Sequence, residues 1–246
     1  MNILVTGAKG FIGGHLIKYL NKKTDHVLYE FNRNDDIDDL IKIAPKLDFV
    51  YHFAGVNRSY NKTLFQKVNV DFTYKLCEIL SVNRNVMLFF ASSTQASNND
   101  TYGVTKRKAE IICQEFEKEY GNKVYIYRLP GIFGEGCKPN YNSVVATFCH
   151  NIANDLEIKI IDGNKKIELL YISDLCDFFL SFLKDYDLEK PQNIPPTSEI
   201  KINELASTIR NFSINLENKF DENNLSQFKL NLFKTFKSYQ EKNLEI

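Results

Sequence analysis

Gly7, Gly10, Gly13 and Gly14 stand close together, directly behind the apolar run Ile3-Leu4-Val5-Thr6 and directly ahead of a helical segment from Phe11 to Leu20. Glycine at the spacing Gly7-x-x-Gly10-x-x-Gly13 lets the chain turn tightly, brings backbone N–H groups close to a pyrophosphate, and lets the helix pack closely on the strand. The helix N-terminus then faces the negative charge. An ordinary strand-to-helix turn does not need three spaced glycines, so the chain is expected to open with a nucleotide-binding β-α unit. Gly7, Lys9, Gly10, Phe11, Ile12 and Gly13 are the candidate cofactor-loop residues.

Strand and helix patterns alternate from there. Strands are expected at Val27–Phe31, Asp48–Phe53, Val86–Ala91 and Val124–Tyr127, and helices at Asp38–Lys46, Asn61–Leu80 and Thr101–Tyr120, the last stopped by Gly121. Near-continuous apolar strands are the buried parallel type. Repeated β-α-β units predict an α/β fold: a doubly wound, Rossmann-type parallel sheet with helices on both faces. After Pro130 the pattern loosens into a loop over 130–142, a helix at Ser143–Ala153, short strands at Ile158–Ile161 and Ile167–Ile172, and helices at Asp174–Leu183 and 202–211. Phe228, Leu232, Phe233 and Phe236 have helical spacing and are expected to pack on the body or on a further domain. The chain is read as one unit over 1–246, with 1–135 mainly dinucleotide-binding and 136–246 a small substrate-binding portion and tail. A weak linker candidate spans 185–198.

Composition narrows the function classes. The 246 residues carry 31 Lys+Arg against 31 Asp+Glu, a net charge of zero, which argues against a broad nucleic-acid surface. No run reaches the roughly 18 apolar residues of a membrane span. The start, Met1-Asn2-Ile3-Leu4, has no basic segment of a secretory signal. Five separated cysteines without a CxxC pair fit a reduced, cytoplasmic compartment, with the thiols as small core hydrophobes. The four histidines have no metal-ligand spacing, so no metal site is expected.

The end of the second strand decides between dinucleotides. Counted from the glycines, the deciding position is Phe31, with Glu30 just before it and Asn32-Arg33 just after. An acid there binds the ribose hydroxyls of NAD, whereas an arginine can pair with a 2′-phosphate. Asn32 and Arg33 therefore favour NADP(H). NAD(H) is the alternative if Glu30 takes the ribose or if Arg33 is only a solvated charge. Farther along, Tyr102 and Lys106 stand four apart on the long helix, one turn apart on one face. Ser92-Ser93-Thr94 closes the preceding strand, where a hydroxyl can point to the same place. Tyrosine ionises near pH 10, and a neighbouring ammonium is expected to lower that value. Such parts move a proton on and off a carbinol oxygen while a hydride moves at its carbon. Arg107 and Lys108 read as a solvated helix face.

The glycine loop, Asp48-x-Val50-x-His52-x-Ala54-Gly55, Ser92-Ser93, Tyr102-x-x-x-Lys106 and Arg128-Leu129-Pro130-Gly131-x-Phe133-Gly134 together resemble the extended short-chain dehydrogenase/reductase superfamily, over essentially the whole chain. The resemblance implies that Tyr102 is the acid–base and that Lys106 holds the nicotinamide ribose and tunes Tyr102. It implies that Ser93, with Thr94 as fallback, polarises the carbonyl. Ala54 and Gly55 would pack along the cofactor, and Pro130 near the nicotinamide. A homodimer paired through the long helices is a further implication.

A narrower likeness lies in Ala54-Gly55-Val56-Asn57-Arg58, Tyr125–Arg128, Lys138–Cys149 and Leu232–Tyr239. These segments are similar to the reductase domain of bacterial capsular-polysaccharide enzymes that make UDP-N-acetyl-L-fucosamine precursors. Those enzymes join an NADPH-dependent reductase to a metal-binding cupin domain. The cupin epimerises C3 of a UDP-linked 4-keto-6-deoxy-N-acetylhexosamine, and the reductase reduces its C4 ketone. The chain ends at Ile246, where the cupin would begin, so the resemblance covers the reduction alone and leaves the cupin as a separate or missing partner. Asn57 and Arg58, at the carboxyl edge of the third strand, are candidate substrate residues, Arg58 meeting the substrate diphosphate or else standing as a solvated loop charge. Asn140, Tyr141, Asn142 and Ser143 are further candidates, or else a capping segment.

Two other readings compete with the reductase. One is a UDP-sugar 4-epimerase with tightly held NAD. The other is a non-catalytic cofactor-binding subunit docking a separate cupin or a glycosyltransferase. A 4,6-dehydratase is disfavoured because Thr94-Gln95 stands where that chemistry uses an Asp-Glu pair.

Overall fold

The structure is a computed structural model and describes residues 1–184, 193–215 and 225–241. Contacts divide the chain into one unit of Met1–Leu129 with Phe179–Ile194, and a second of Pro130–Phe178 with Pro195–Ile246. The first unit holds β1 (Asn2–Thr6), α1 (Phe11–Lys23), β2 (Val27–Phe31), α2 (Ile37–Ile43), β3 (Phe49–His52), α3 (Lys62–Phe65), α4 (Phe72–Leu80), β4 (Met87–Ser93), α5 (Thr101–Tyr120) and β5 (Val124–Leu129). All five strands are parallel, in the order β2-β1-β3-β4-β5. The chain order reverses beside β1, and in such sheets the crevice at the carboxyl ends of the strands there takes ligands. The α/β, Rossmann-type expectation is met.

The pleat sorts this unit's core. Phe49 and Tyr51 of β3, Phe89 of β4 and Tyr127 of β5 form one aromatic layer with Phe179 and Phe182, and the Tyr51 hydroxyl donates to the Phe179 carbonyl at 2.7 Å. Leu4, Val50, Leu88 and Phe90 alternate with them and join Leu40, Leu76, Leu80, Ala109, Cys113 and Phe116 on the opposite face. Burying such side chains contributes about 1.5–3 kcal/mol each.

Within the predicted helix Asn61–Leu80 the regularity breaks. Gln66–Asp71 forms a wide π-type turn between α3 and α4, and it places Asn69 in the interior. Residue 61 is a cap rather than a helical residue, since its side chain accepts from the Thr63 N–H at 3.0 Å. The long helix runs over Thr101–Tyr120 as expected, with Gly121 left-handed at φ 76°.

The second unit comprises β6 (Gly131–Phe133), α6 (Val144–Ala153), β7 (Lys166–Tyr171), α8 (Ile202–Asn215), which follows β8 (Ser198–Lys201), and α9 (Gln227–Glu241). Helix α7 (Ile172–Lys184) begins here, and its residues from Phe179 onward belong to the first unit. The sheet order is β6-β7-β8, with β6 parallel and β8 antiparallel to β7. Neither β6 nor β8 was expected, because each is short, β6 lying among Pro130, Gly131 and Gly134 and β8 just after Pro195 and Pro196. The strand expected at Ile158–Ile161 does not form: this stretch is irregular, and Ile161 is fully exposed. Phe233 and Phe236 are buried against Phe212, and Phe228 meets Phe133 edge-on, so the C-terminal aromatics pack on the unit's own body. Of the linker candidate 185–198, residues 185–192 lie outside the described residues. No helix among the described residues is long and apolar enough to cross a membrane. No cluster of His, Cys, Asp and Glu among them is arranged to hold a metal ion.

His52 is fully buried, with Nδ1 2.7 Å from Thr6 Oγ1 and Nε2 2.9 Å from Thr73 Oγ1. The Thr73 hydroxyl donates to the Asn69 carbonyl at 2.8 Å. It therefore accepts from His52 Nε2–H, and Thr6 donates to Nδ1. This is a neutral imidazole held from both sides. Burial, with a smaller push from Lys106, lowers its pKa from 6.5 to about 3. The unfolded chain thus binds a proton below pH 6.5 that the folded chain refuses, and stability falls as pH falls from 6.5 toward 3. Urea midpoints are expected to show a loss of up to about 1.4 kcal/mol per pH unit from this group. His52→Gln should flatten that slope while lowering stability at neutral pH. A slope unchanged in the variant would count against the assignment.

Candidate dinucleotide and catalytic site

β1 delivers Gly7 into the left-handed region at φ 69°, with its N–H donating to the Phe31 carbonyl at 2.7 Å. A Cβ there would lie 2.9 Å from the Ala54 nitrogen, so the glycine loop runs against the Ala54-Gly55 strip beyond β3. A Cβ on Gly13 would fall 2.4 Å from the Gly7 carbonyl oxygen. Gly10 caps α1 without a side-chain acceptor, and the first turn holds no acidic residue. A cradle with no room for a Cβ, N–H groups without a side-chain cap and a first turn without a carboxylate fit a dinucleotide pyrophosphate. Lys9 and Gly10 are exposed, and Phe11 and Ile12 half-buried, at the mouth of this loop.

At the end of β2, Asn32 is committed in two directions. Its Oδ1 accepts from the Lys9 N–H at 2.8 Å, and its Nδ2 and backbone N–H donate to the Asp35 carboxylate at 3.3 and 2.7 Å. Asn32 therefore ties the glycine loop to a turn. Arg33 is exposed beside it, and Glu30 is exposed in register with Val5. Asp35 was missed: in the sequence, Asn32-x-x-Asp35 reads only as a turn.

The end of β4 and the start of α5 bring Ser93, Tyr102 and Lys106 together. Asp100 caps α5, its carboxylate accepting from the Gly103 N–H at 2.8 Å. Gly103 allows the close approach, since a Cβ there would meet the Gln95 carbonyl at 2.4 Å. The Ser93 hydroxyl hydrogen-bonds Tyr102 and also accepts from the Gln95 N–H at 3.2 Å. Thr94 is exposed. Lys106 is buried, its Nζ donating to the Ala91 carbonyl at 2.6 Å and lying 4.2 Å from the Phe90 ring centre.

The electrostatics correct one expectation. Tyr102 is not lowered: burial raises its phenol, outweighing the Ser93 hydrogen bond that lowers it, and Asp100 raises it further. Lys106 does not act on it in the expected sense, because its ammonium is directed to Ala91 and Phe90. Burial also lowers the Lys106 ammonium to about 8, against smaller upward pushes from Cys113 and Glu110. At neutral pH the group is a protonated phenol beside a hydroxyl and a buried cation, a set suited to donating a proton.

Residues 3–194 match the profile described as the NAD dependent epimerase/dehydratase family. The chain belongs to that family. Among relatives of this family, the chain is 38% identical to UDP-2-acetamido-2,6-beta-L-arabino-hexul-4-ose reductase of Pseudomonas aeruginosa, over 86% of this chain and 58% of that protein. It thus spans well under two thirds of that relative's length. The crystal structure of capsular polysaccharide assembling protein CapF from Staphylococcus aureus superposes with a TM-score of 0.86 at 35% identity, covering 99% of this chain and 67% of that one. UDP-glucuronic acid 4-epimerase from Bacillus cereus, solved in complex with NAD, shares the fold at a TM-score of 0.83 and 18% identity, over 98% of this chain and 97% of that one. Membership of the epimerase/dehydratase family makes the chain an enzyme of NAD(P) chemistry.

The remaining candidates of this family member fall in two places. Asn57 and Arg58 are exposed in the first unit, just beyond Val56. Pro130 is buried in the second unit ahead of β6. There Ser143 caps α6, accepting from the Ala146 N–H at 3.2 Å, and Asn140, at φ 55°, donates its N–H to Thr147 Oγ1 at 3.0 Å. Tyr141 lies under the Lys138 ammonium, 5.6 Å from its ring centre, and Asn142 is exposed. Asn140 and Ser143 thus serve the helix entry.

Arg107 is no solvated charge. It donates to the carbonyls of Ala96 and Asn98 and clamps the turn after Ser93. Asn69 was also missed. Its side chain accepts from the Val56 N–H at 2.7 Å and donates to the Val56 carbonyl at 2.9 Å and to Thr105 Oγ1 at 3.1 Å, tying the strip after β3 to α5.

Gly13→Ala is expected to weaken NADPH and NADH binding at least about tenfold in a fluorescence titration. Gly14→Ala meets only the Ala8 carbonyl, at an ordinary 3.4 Å, and should stay within about twofold of wild type. Equal behaviour of the two variants would contradict the cradle.

Proposed function

We propose that the protein is a cytoplasmic, NADPH-dependent reductase acting on the C4 ketone of a UDP-linked 4-keto-6-deoxy-N-acetylhexosamine, in capsular or other surface-polysaccharide precursor synthesis. The observation that carries this reading is the Ser93–Tyr102–Lys106 group at the carboxyl edge of the sheet, in a chain 38% identical to a UDP-hexulose reductase. Bound NADPH would supply the hydride. Tyr102 gives its proton to the carbonyl oxygen, and the raised phenol keeps that proton available at neutral pH. Ser93 donates to the same oxygen, and Lys106 orients the nicotinamide ribose. Gly7, Lys9, Gly10, Phe11, Ile12, Gly13, Ala54, Gly55 and Pro130 form the dinucleotide bed in this reading. Arg33 takes the 2′-phosphate, with Asn32 holding the loop beside it. Arg58 and Asn57 meet the substrate diphosphate, and Asn140, Tyr141, Asn142 and Ser143 belong to its loop. A homodimer and a cupin-type metal-binding partner, separate or fused, complete the proposal, the partner supplying the 3-epimer.

NADPH oxidation is the direct test, with the UDP-4-keto sugar supplied alone and with a cupin domain. Turnover is expected, and Tyr102→Phe should lower kcat at least about a hundredfold. A near-wild-type rate in that variant would remove Tyr102 from the chemistry. NADPH binding without turnover would favour the non-catalytic reading, and purified protein carrying tight NAD would favour the 4-epimerase. Arg33→Ala is expected to raise the KM for NADPH about tenfold while leaving that for NADH within about twofold.

A further inference from the structure

Glu110 stands one helical turn beyond Lys106 and two beyond Tyr102, on the same face of α5. It is almost fully buried. Its carboxylate accepts from the Ser92 hydroxyl, from Arg128 Nε at 2.9 Å and from Arg128 Nη2 at 2.7 Å. Arg128 lies on β5 in register with Ser92 on β4. One carboxylate therefore joins three elements, and the bidentate fork fixes its orientation as well as its position.

The three residues that end β4 are held by three successive turns of α5. Ala91 is held by Lys106 through its carbonyl, Ser92 by Glu110 through its hydroxyl, and Ser93 pairs with Tyr102. We propose that Glu110 is a positioning residue: it locks the reacting face of α5 to the end of β4, and so sets Ser93 and Lys106 relative to Tyr102. The inference rests on the reductase reading above.

Charge adds a second consequence. The hydrogen bonds of Arg128 and Ser92 hold Glu110 below the usual carboxylate range against the opposing effect of burial, so it is ionised at neutral pH. The titratable groups facing Lys106 are Glu110 and Cys113 on its own helix and His52 on β3. Those facing Glu110 are Lys106 and Cys113 on its own helix and, from β5, Arg128. The carboxylate helps keep a buried ammonium protonated, so its removal should let Lys106 lose its proton at lower pH.

The experiment measures NADPH affinity, turnover and melting for wild type, Glu110→Gln and Ser92→Ala, from about pH 6 to about pH 9. In Glu110→Gln, the alkaline fall in NADPH affinity is expected to move down by about one pH unit. Its kcat should drop at least about tenfold, with KM for the keto sugar within about twofold. Ser92→Ala keeps the charge, so its alkaline limb should stay in place while kcat falls about fivefold. A folded Glu110→Gln protein with an unmoved limb and kcat within about twofold of wild type overturns the proposal, leaving Glu110 as a plain structural anchor. If Glu110→Gln does not fold, an unchanged kcat in Ser92→Ala overturns it. A wild type that binds NADPH but reduces no UDP-keto sugar defeats the reductase reading, and the limb in Glu110→Gln then decides the role of Glu110 by itself. A wild type that binds neither NADPH nor NADH overturns both.

Discussion

The pleat of β4 is the constraint on which the rest of the site depends. Side chains along a strand alternate between its two faces, and β4 is buried through nearly its whole length between β3 and β5. Phe89 therefore enters the aromatic layer, while Phe90 and Ser92 turn toward α5. A slip of one residue would exchange the two sets and replace Ser92 with Ala91 or Ser93 against Glu110. Because the strand cannot slip, its last residues reach the carboxyl edge of the sheet in one arrangement. Gly103 then lets the first turn of α5 close on the turn that follows.

Burial governs the chemistry of this group more than charge pairing does. Tyr102 and Lys106 are both pushed toward their neutral forms by loss of solvent, the phenol upward and the ammonium downward. In the proposed reduction, where the carbonyl oxygen takes a proton as hydride reaches its carbon, a phenol that stays protonated is an asset. The ammonium is kept close to its charged state by a carbonyl, an aromatic face and a carboxylate one turn away. The pair four apart on the helix thus works as two separately supported groups.

Much of this was legible in the sequence because its signals are local. The glycine loop, the apolar strands and the capped, glycine-stopped helix Thr101–Tyr120 each carry their own periodicity or backbone requirement. The parts that were not legible depend on distant partners. Asn69 enters the core only because the backbone widens at Gln66–Asp71, and no residue type marks such a turn. Arg107 looks like any helical cation until the carbonyls of Ala96 and Asn98 fold back to it. β6 and β8 are stabilised by pairing with β7 rather than by their own composition. Ile158–Ile161 has strand-like composition but gains no partner, and its apolar residues alone do not order it.

Five buried polar residues of the first unit, Thr6, His52, Thr73, Asn69 and Thr105, also form one connected set. From Ala54 the hydrogen bonds run through Thr6, His52 and Thr73 to the carbonyl of Asn69, whose side chain continues to Val56 and Thr105. Thr105 in turn donates within the first turns of α5. Such a network costs desolvation and is stable only when its members are satisfied. Its route runs from the strip beside the glycine loop to the helix that carries Tyr102. The backbone that borders the glycine loop and the backbone that carries Tyr102 are therefore parts of a single hydrogen-bonded frame. A change at His52 or Asn69 acts on both at once, which distinguishes these residues from the apolar core around them, where a lost methyl is felt mainly as stability.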